Sequence, residues 1–228
     1  MRAFTIIETI LRNRFPFFVE IRDGVDLPRK MRQMVVASLA CLFVYGAVLG
    51  SSHSLLQALS SAIKLPVLFL ATTAICAPTL YFFSVLFGSN QTLPQSAALL
   101  LTAITVSAVL LLAFAPVTLF FLLATSNYQF FKLLNVVVFT VVGLRGTRFL
   151  SQGMAVVADS EAAAGSRRTV MRLWIVLYGL VGSQMAWTLR PFVGAPSLPF
   201  ELFRNLGGTF FANVFGSLGE VLGFWMVH

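Results

Sequence analysis

The chain has 228 residues, of which 58% are hydrophobic and 11% charged, and it contains 23 Phe. This composition excludes an ordinary water-soluble domain, because such domains are roughly 45–50% apolar and about 25% charged. The formal net charge of +8 is typical of a membrane protein whose basic residues face anionic lipid headgroups, so no nucleic-acid partner is expected.

Long runs that are apolar on every side predict an all-α, polytopic membrane helix bundle. A β-barrel would instead show segments of about 10 residues that alternate between apolar and polar. A helix needs roughly 20 apolar residues to cross a bilayer, so the chain has room for five or six spans. The predicted spans are about 33–50, 65–88, 97–123, 133–150 and 169–189, with a sixth apolar stretch at 208–227 that either crosses or packs as a half-buried helix.

The residues before the first span, 1–32, are expected to form a cytoplasmic amphipathic arm and a basic linker, ahead of a transmembrane domain at 33–228. We expect the arm to lie in the membrane interface and to end at Pro16. The alternative is a helix packed on the protein's own cytoplasmic side. The residues on its apolar face are Phe4, Ile7, Leu11, Phe15 and Phe18, with Ile6 and Ile10 beside them.

The distribution of basic residues predicts the orientation. If the N-terminus is cytoplasmic, 12 of the 16 Lys and Arg residues fall on the cytoplasmic side and four on the other. Because cytoplasmic loops carry an excess of Lys and Arg, this asymmetry favours an N-inside topology. The loop at 151–168 is then cytoplasmic, and the segment 190–207 lies outside.

The sequence predicts no catalytic, cofactor-binding or metal-binding residues. The second and third spans carry no charge, and Cys41 and Cys76 lie in apolar runs without a CxxC or Cys/His cluster. Ionisable groups are costly in hydrocarbon and usually mark functional sites there, so their scarcity argues against an enzyme.

Glu220 is the only acid within the apolar stretches. Counting depth along two helices predicts that the last stretch crosses antiparallel to the fifth span and that Glu220 pairs with Arg172, with Arg148 as the alternative partner. A second possibility is that Glu220 lies at the cytoplasmic headgroups, bonded to water.

Two prolines lie near the middle of predicted spans, and two glycine pairs lie within apolar stretches. Pro78 and Pro116 each predict a kink, which is either an ordinary feature of a membrane helix or a transporter hinge. The GxxxG pairs allow close helix packing, within the chain or between copies. These pairs are Gly46 with Gly50 and Gly219 with Gly223.

The segment from Gln184 to Phe192 is the most distinctive in the chain. Trp187 and Arg190 suit a membrane interface, where an indole lies at headgroup level and a guanidinium reaches phosphate. We interpret them as an interfacial anchor, with a ligand or partner site as the alternative.

The cytoplasmic arm, five closely spaced spans, the Lys64-Leu65-Pro66 entry and the later Pro78 resemble bacterial relatives of the Ypt-interacting-protein family. The segment Gln184 to Phe192 is similar to one in uncharacterised bacterial polytopic membrane proteins. The first resemblance implies a role in membrane trafficking and shaping through partners, without catalysis.

The leading hypothesis is a non-enzymatic scaffold, assembly or membrane-organising subunit of a bacterial inner membrane. Its expected partners are membrane lipids, including anionic headgroups, and other membrane subunits or a second copy. The alternative is a transporter or channel for a small apolar or weakly polar solute, with a pathway between the second and third spans. Such a pathway requires polar groups around a water-filled cavity. The candidates are Thr72, Thr73, Thr102 and Thr105.

Overall fold

A computed structural model describes residues 2–86, 91–125, 127–157, 164–194, 200–203 and 208–221. All regular elements in these ranges are α-helices, which confirms the all-α prediction. They are α1 (Arg2–Arg12), α2 (Arg14–Arg22), α3 (Leu27–Gly50), α4 (Leu55–Leu86), α5 (Leu93–Ala124), α6 (Tyr128–Val157), α7 (Ala164–Thr188) and α8 (Phe210–Val221).

Five of these helices, α3 to α7, are long and apolar enough to cross a membrane, so the protein is an integral membrane protein. Consecutive helices run antiparallel, because only a few residues connect the end of each helix to the start of the next. We call the end that carries α1, α2 and the start of α3 the arm end, and the opposite end the distal end. At 1.5 Å per residue, a 32-residue helix such as α4 is about 48 Å long and extends beyond a hydrocarbon core about 30 Å thick.

Helices α3 and α4 begin earlier than the hydropathy pattern predicts. Helix α3 starts at Leu27 rather than residue 33, with Pro28 in its first turn, where a missing N–H breaks no helical bond. Helix α4 starts at Leu55 rather than residue 65. Four of residues 55–64 are polar, which places this segment outside the apolar run, but Gln57, Ser60, Ser61 and Lys64 are all buried.

The arm packs against the bundle, as the alternative for this segment proposes. Ile6 and Ile10 of α1 are 6% and 1% exposed and belong to the same apolar core as the spans. Leu11 and Phe15 are 48% and 63% exposed, and the side chain of Phe4 lies outside the described residues. The buried apolar side chains of α2 are Phe17, Phe18 and Ile21.

The prediction that Pro16 ends the arm helix is wrong. Helix α1 ends at Arg12, and Pro16 lies in the first turn of α2. The first N–H groups of a helix have no intrahelical acceptor, so a proline costs little there. Pro78 and Pro116 lie inside helices α4 and α5, and neither ends its helix.

Helix α3 occupies the centre of the bundle, against both α4 and α5. The Gly46 and Gly50 pair faces α4 of the same chain. A Cβ atom at Gly46 would come within 2.5 Å of the Ser61 carbonyl oxygen, and one at Gly50 within 2.3 Å of the Gln57 carbonyl oxygen. The first GxxxG pair therefore serves packing within the chain. The second pair includes Gly223, which lies outside the described residues.

Candidate functional site

Three helices meet at a buried polar cluster in the distal half of the bundle. The Tyr45 hydroxyl donates to Asn135 Oδ1 at 3.0 Å and hydrogen-bonds the Thr118 hydroxyl at 3.2 Å. The Asn135 amide donates to the Phe131 carbonyl at 2.8 Å. This cluster joins α3, α5 and α6, since polar groups in an apolar interior must satisfy one another. Sequence reasoning overlooked it, although an Asn within a long apolar run is a usable signal.

The four threonines proposed for a transport pathway lie at two separate helix interfaces. Thr102 and Thr105 are each 1% exposed and donate to carbonyls one turn earlier in α5, at 2.8 Å. The Thr105 hydroxyl also meets the Ser38 hydroxyl of α3 at 3.1 Å. Thr73 instead hydrogen-bonds the Tyr178 hydroxyl of α7 at 3.3 Å. The structure does not bring Thr72 and Thr73 together with the α5 pair around one cavity.

Pro78, one of two prolines in α4, lies near a backbone carbonyl that has two side-chain donors. The buried Trp174 indole of α7 donates to the Cys76 carbonyl at 3.0 Å, and the Thr79 hydroxyl donates to the same oxygen at 2.7 Å. Pro78 removes a backbone donor within this turn. The carbonyl that Pro78 deprives of its helical donor is that of Ala74, four residues earlier, so the Trp174 bond to Cys76 acts as an attachment of α7 to α4.

The chain that follows α7 docks on the first turns of α4. Gln57 donates to the Pro191 carbonyl at 2.9 Å, and Ser61 donates to the Phe192 carbonyl at 2.6 Å. One turn further along, the Lys64 ammonium donates to the Leu202 carbonyl and lies 4.7 Å from the centre of the Phe203 ring. The polar residues at the start of α4 thus bind backbone carbonyls of the segment that follows α7, and this segment covers them.

Trp187 and Arg190, predicted as an anchor, contact each other at the distal end. The Arg190 guanidinium carbon lies 3.5 Å from the centre of a Trp187 ring, within cation–π range. The Trp187 indole donates to the Gly208 carbonyl at 3.1 Å. This bond holds the chain that leads into α8 against the end of α7.

The predicted pairing of Glu220 with Arg172 is wrong. Glu220 Oε2 accepts a hydrogen bond from Gln129 at the distal start of α6, at 2.7 Å. Arg172 precedes Trp187, which lines the same cleft as Glu220, by fifteen residues of α7, or about 22 Å. The alternative partner, Arg148, lies nineteen residues along α6 from Gln129, or about 28 Å. Both arginines are therefore near the arm end.

The depth count failed because α8 does not run from the distal end towards the arm end. Asn213 bonds Lys132, whereas Glu220 further along α8 bonds Gln129, which lies nearer the distal end of α6. Helix α8 has 12 residues and spans about 18 Å, less than the hydrocarbon thickness. The rest of the predicted sixth stretch, 222–227, lies outside the described residues.

A polar cleft of about 410 Å³ separates α8 from the distal ends of α6 and α7. Lys132 donates to Asn213 Oδ1 at 3.0 Å across it. Its lining residues are Gln129, Lys132, Trp187, Gly208, Thr209, Ala212, Asn213, Gly216, Ser217 and Glu220.

Within the described ranges, no group of three or more His, Cys, Asp and Glu side chains could hold a metal ion. Comparisons of the chain with protein-family models, with curated proteins and with solved structures find no match. The resemblance to the Ypt-interacting-protein family stays a prediction.

Proposed function

We propose that this integral membrane protein is a non-enzymatic scaffold, assembly or membrane-organising subunit of a bacterial inner membrane. One observation carries the proposal. The threonines that a pathway between α4 and α5 would need lie at two separate interfaces, where Thr73, Thr102 and Thr105 bond neighbouring groups. A transporter requires these groups around water near the midplane, whereas a scaffold needs no such cavity.

The exposed surface at the arm end supports a role at an anionic membrane face. The apolar Leu11 and Phe15 are exposed on the arm. Exposed basic side chains on four helices form no ion pair with the described carboxylates, and each can contribute about 1 kcal/mol of attraction to an anionic lipid surface. They include Arg14, Arg32, Arg145, Arg148 and Arg172.

The proposal places the arm end in the cytoplasm, because the basic residues concentrate there. The expected partners are anionic lipids at that end and membrane subunits, including a second copy of the chain. This role agrees with the one that the resemblance to the Ypt-interacting-protein family implies.

Thiol accessibility tests the closed bundle. The native Cys41 and Cys76 are 2% and 0% exposed, and Cys76 lies on α4 beside the proposed pathway. A small charged methanethiosulfonate reagent modifies thiols in water, so we expect both cysteines to stay unmodified in detergent-solubilised protein. Thr102→Cys and Thr105→Cys are expected to stay unmodified as well.

Ser51→Cys, in a background without the native cysteines, is the positive control because Ser51 lies exposed in the turn between α3 and α4. Its labelling in intact cells also tests the orientation, since an impermeant reagent should reach it from outside. Rapid modification of Cys76 and of Thr105→Cys would contradict the scaffold and favour the transporter. Labelling of Ser51→Cys only after cell disruption would reverse the orientation.

A further inference from the structure

Helix α8 turns its polar residues towards the bundle and its apolar residues outwards. Asn213 and Glu220 bond α6, and Ser217 is 3% exposed. In contrast, Phe211 and Phe215 are 43% and 69% exposed. A surface helix in water shows the opposite arrangement. Helix α8 therefore covers the polar cleft with its polar face and directs its apolar face, which is suited to lipid, outwards.

The cleft contains one cation and one anion with unused bonding capacity. The Lys132 ammonium has three N–H donors, of which one bonds Asn213. The Glu220 carboxylate has two oxygens, and Gln129 donates to one of them. The other amide atom of Gln129, its carbonyl oxygen Oε1, is buried without a hydrogen-bond partner. Because this oxygen is buried, a ligand in the cleft does not reach it, and the unused bonding capacity of the site lies on Lys132 and Glu220.

The cleft also has the volume of a ligand site. Its volume of about 410 Å³ lies within the roughly 300–1,000 Å³ range of small-molecule sites. Gly208 and Gly216 line it, and a Cβ atom added to either would meet no atom within 4 Å. The Trp187 indole closes one side, with its N–H already bonded to the Gly208 carbonyl.

We propose that this cleft binds the zwitterionic headgroup of a phospholipid, with the phosphate at Lys132 and a primary ammonium at Glu220. A headgroup with only a negative charge would satisfy Lys132 but would leave Glu220 facing an anion. A zwitterion satisfies both charges, with its phosphate accepting from Lys132 and its ammonium donating to Glu220. The outward apolar face of α8 provides a surface for the acyl chains. The inference does not depend on whether the protein is a scaffold.

Lipid retention tests the proposal on the full chain. Protein reconstituted with equal amounts of phosphatidylethanolamine and phosphatidylglycerol is re-extracted in mild detergent, and bound lipid is identified by native mass spectrometry. We expect phosphatidylethanolamine to be retained preferentially. Equal retention of the two lipids by the native chain would overturn the proposal.

Variants separate the site from general lipid contact. Glu220→Gln keeps an acceptor for Gln129 but removes the anion, so retention of phosphatidylethanolamine should fall about tenfold. Gly216→Leu fills the cleft and should abolish retention. Gly179→Leu is its matched control, because Gly179 also has no atom within 4 Å of an added Cβ and does not line the cleft. Unchanged retention in Glu220→Gln and Gly216→Leu, with both variants folded, would overturn the site.

Soluble phosphoethanolamine distinguishes a lipid from a free headgroup. It should displace the lipid only in large excess, because it lacks the acyl chains that pack outside α8. Displacement at equimolar concentration would overturn the assignment to a lipid.

Discussion

Helix α3 approaches α4 backbone to backbone, whereas helix α7 contacts α4 through long side chains. On the α3 side, Gly46 and Gly50 leave no room for a Cβ atom against the Ser61 and Gln57 carbonyls. On the α7 side, the attachment includes the Trp174 indole on the Cys76 carbonyl. A second attachment, between the Tyr178 and Thr73 hydroxyls, is 3.3 Å long.

The two modes of packing have different energetic consequences. Close backbone approach produces many small dispersion contacts along both helices, and any larger side chain at the contact must separate them. An interhelical hydrogen bond in a membrane contributes only about 0.6 kcal/mol on average. We therefore expect α3 and α4 to form an inseparable pair and α7 to be attached more weakly.

The largest expected effect is that of Gly46→Leu. The new side chain would meet backbone atoms of Ser61 and Ala62, which cannot rotate away as a side chain can. Overpacking of this kind costs about 1–3 kcal/mol or more. We expect little monodisperse protein after extraction, measured by size-exclusion chromatography and by the thermal unfolding midpoint in detergent.

Gly143→Leu is the matched control for this substitution. Gly143 is exposed on α6, and an added Cβ meets no atom within 4 Å. Leucine also has a better helix propensity than glycine by roughly 0.5–1 kcal/mol, so this variant should be at least as stable as the native protein. Equal destabilisation by Gly46→Leu and Gly143→Leu would refute close α3–α4 packing.

The sequence predicted the features that depend on local hydropathy and missed those that depend on distant partners. Five spans follow from the length of their apolar runs. The first ten residues of α4 were missed because Gln57, Ser61 and Lys64 appear loop-like until their partners are known. Those partners are backbone carbonyls more than 130 positions away in the chain.

The same limitation explains the wrong partner for Glu220. Counting depth assumed that the last apolar stretch crosses the membrane, and hydropathy carries no information on the direction of a helix. The direction of α8 is set by the Trp187 bond to Gly208 and by the Lys132 bond to Asn213. The cleft could not be inferred because it lies between residues about 80 to 90 positions apart.

Tyr45→Phe should have an intermediate effect, because Tyr45 joins the central helix α3 to α5 and α6 rather than to α4. The Tyr45 side chain is fully buried, and its hydroxyl bonds both Thr118 and Asn135. Removing the hydroxyl leaves the side-chain oxygen Oδ1 of Asn135 without that donor, so we expect a loss of about 1 kcal/mol in the free energy of unfolding. Chemical denaturation in mixed micelles measures this free energy for the native protein and the variant.

Tyr81→Phe is the matched control, because the Tyr81 hydroxyl forms no hydrogen bond within the described part of the chain. Its unfolding free energy should change by less than about 0.3 kcal/mol. If Tyr45→Phe had no larger effect than Tyr81→Phe, the buried cluster would not contribute to stability.

The same chemical change on the weakly packed side, Tyr178→Phe, should have the smallest effect. Tyr178 is only partly buried, and its hydroxyl has one long bond to Thr73. The ring still packs on Trp174, 4.9 Å away between ring centres, so only the bond is lost. We expect a cost of about 0.5 kcal/mol or less in the free energy of unfolding.

A double-mutant cycle with Thr73→Val isolates the bond, because valine keeps the shape of threonine without its hydroxyl. A coupling energy as large as the effect of Tyr45→Phe would mean that α7 is held as firmly as α3, and the difference between the two sides would not exist.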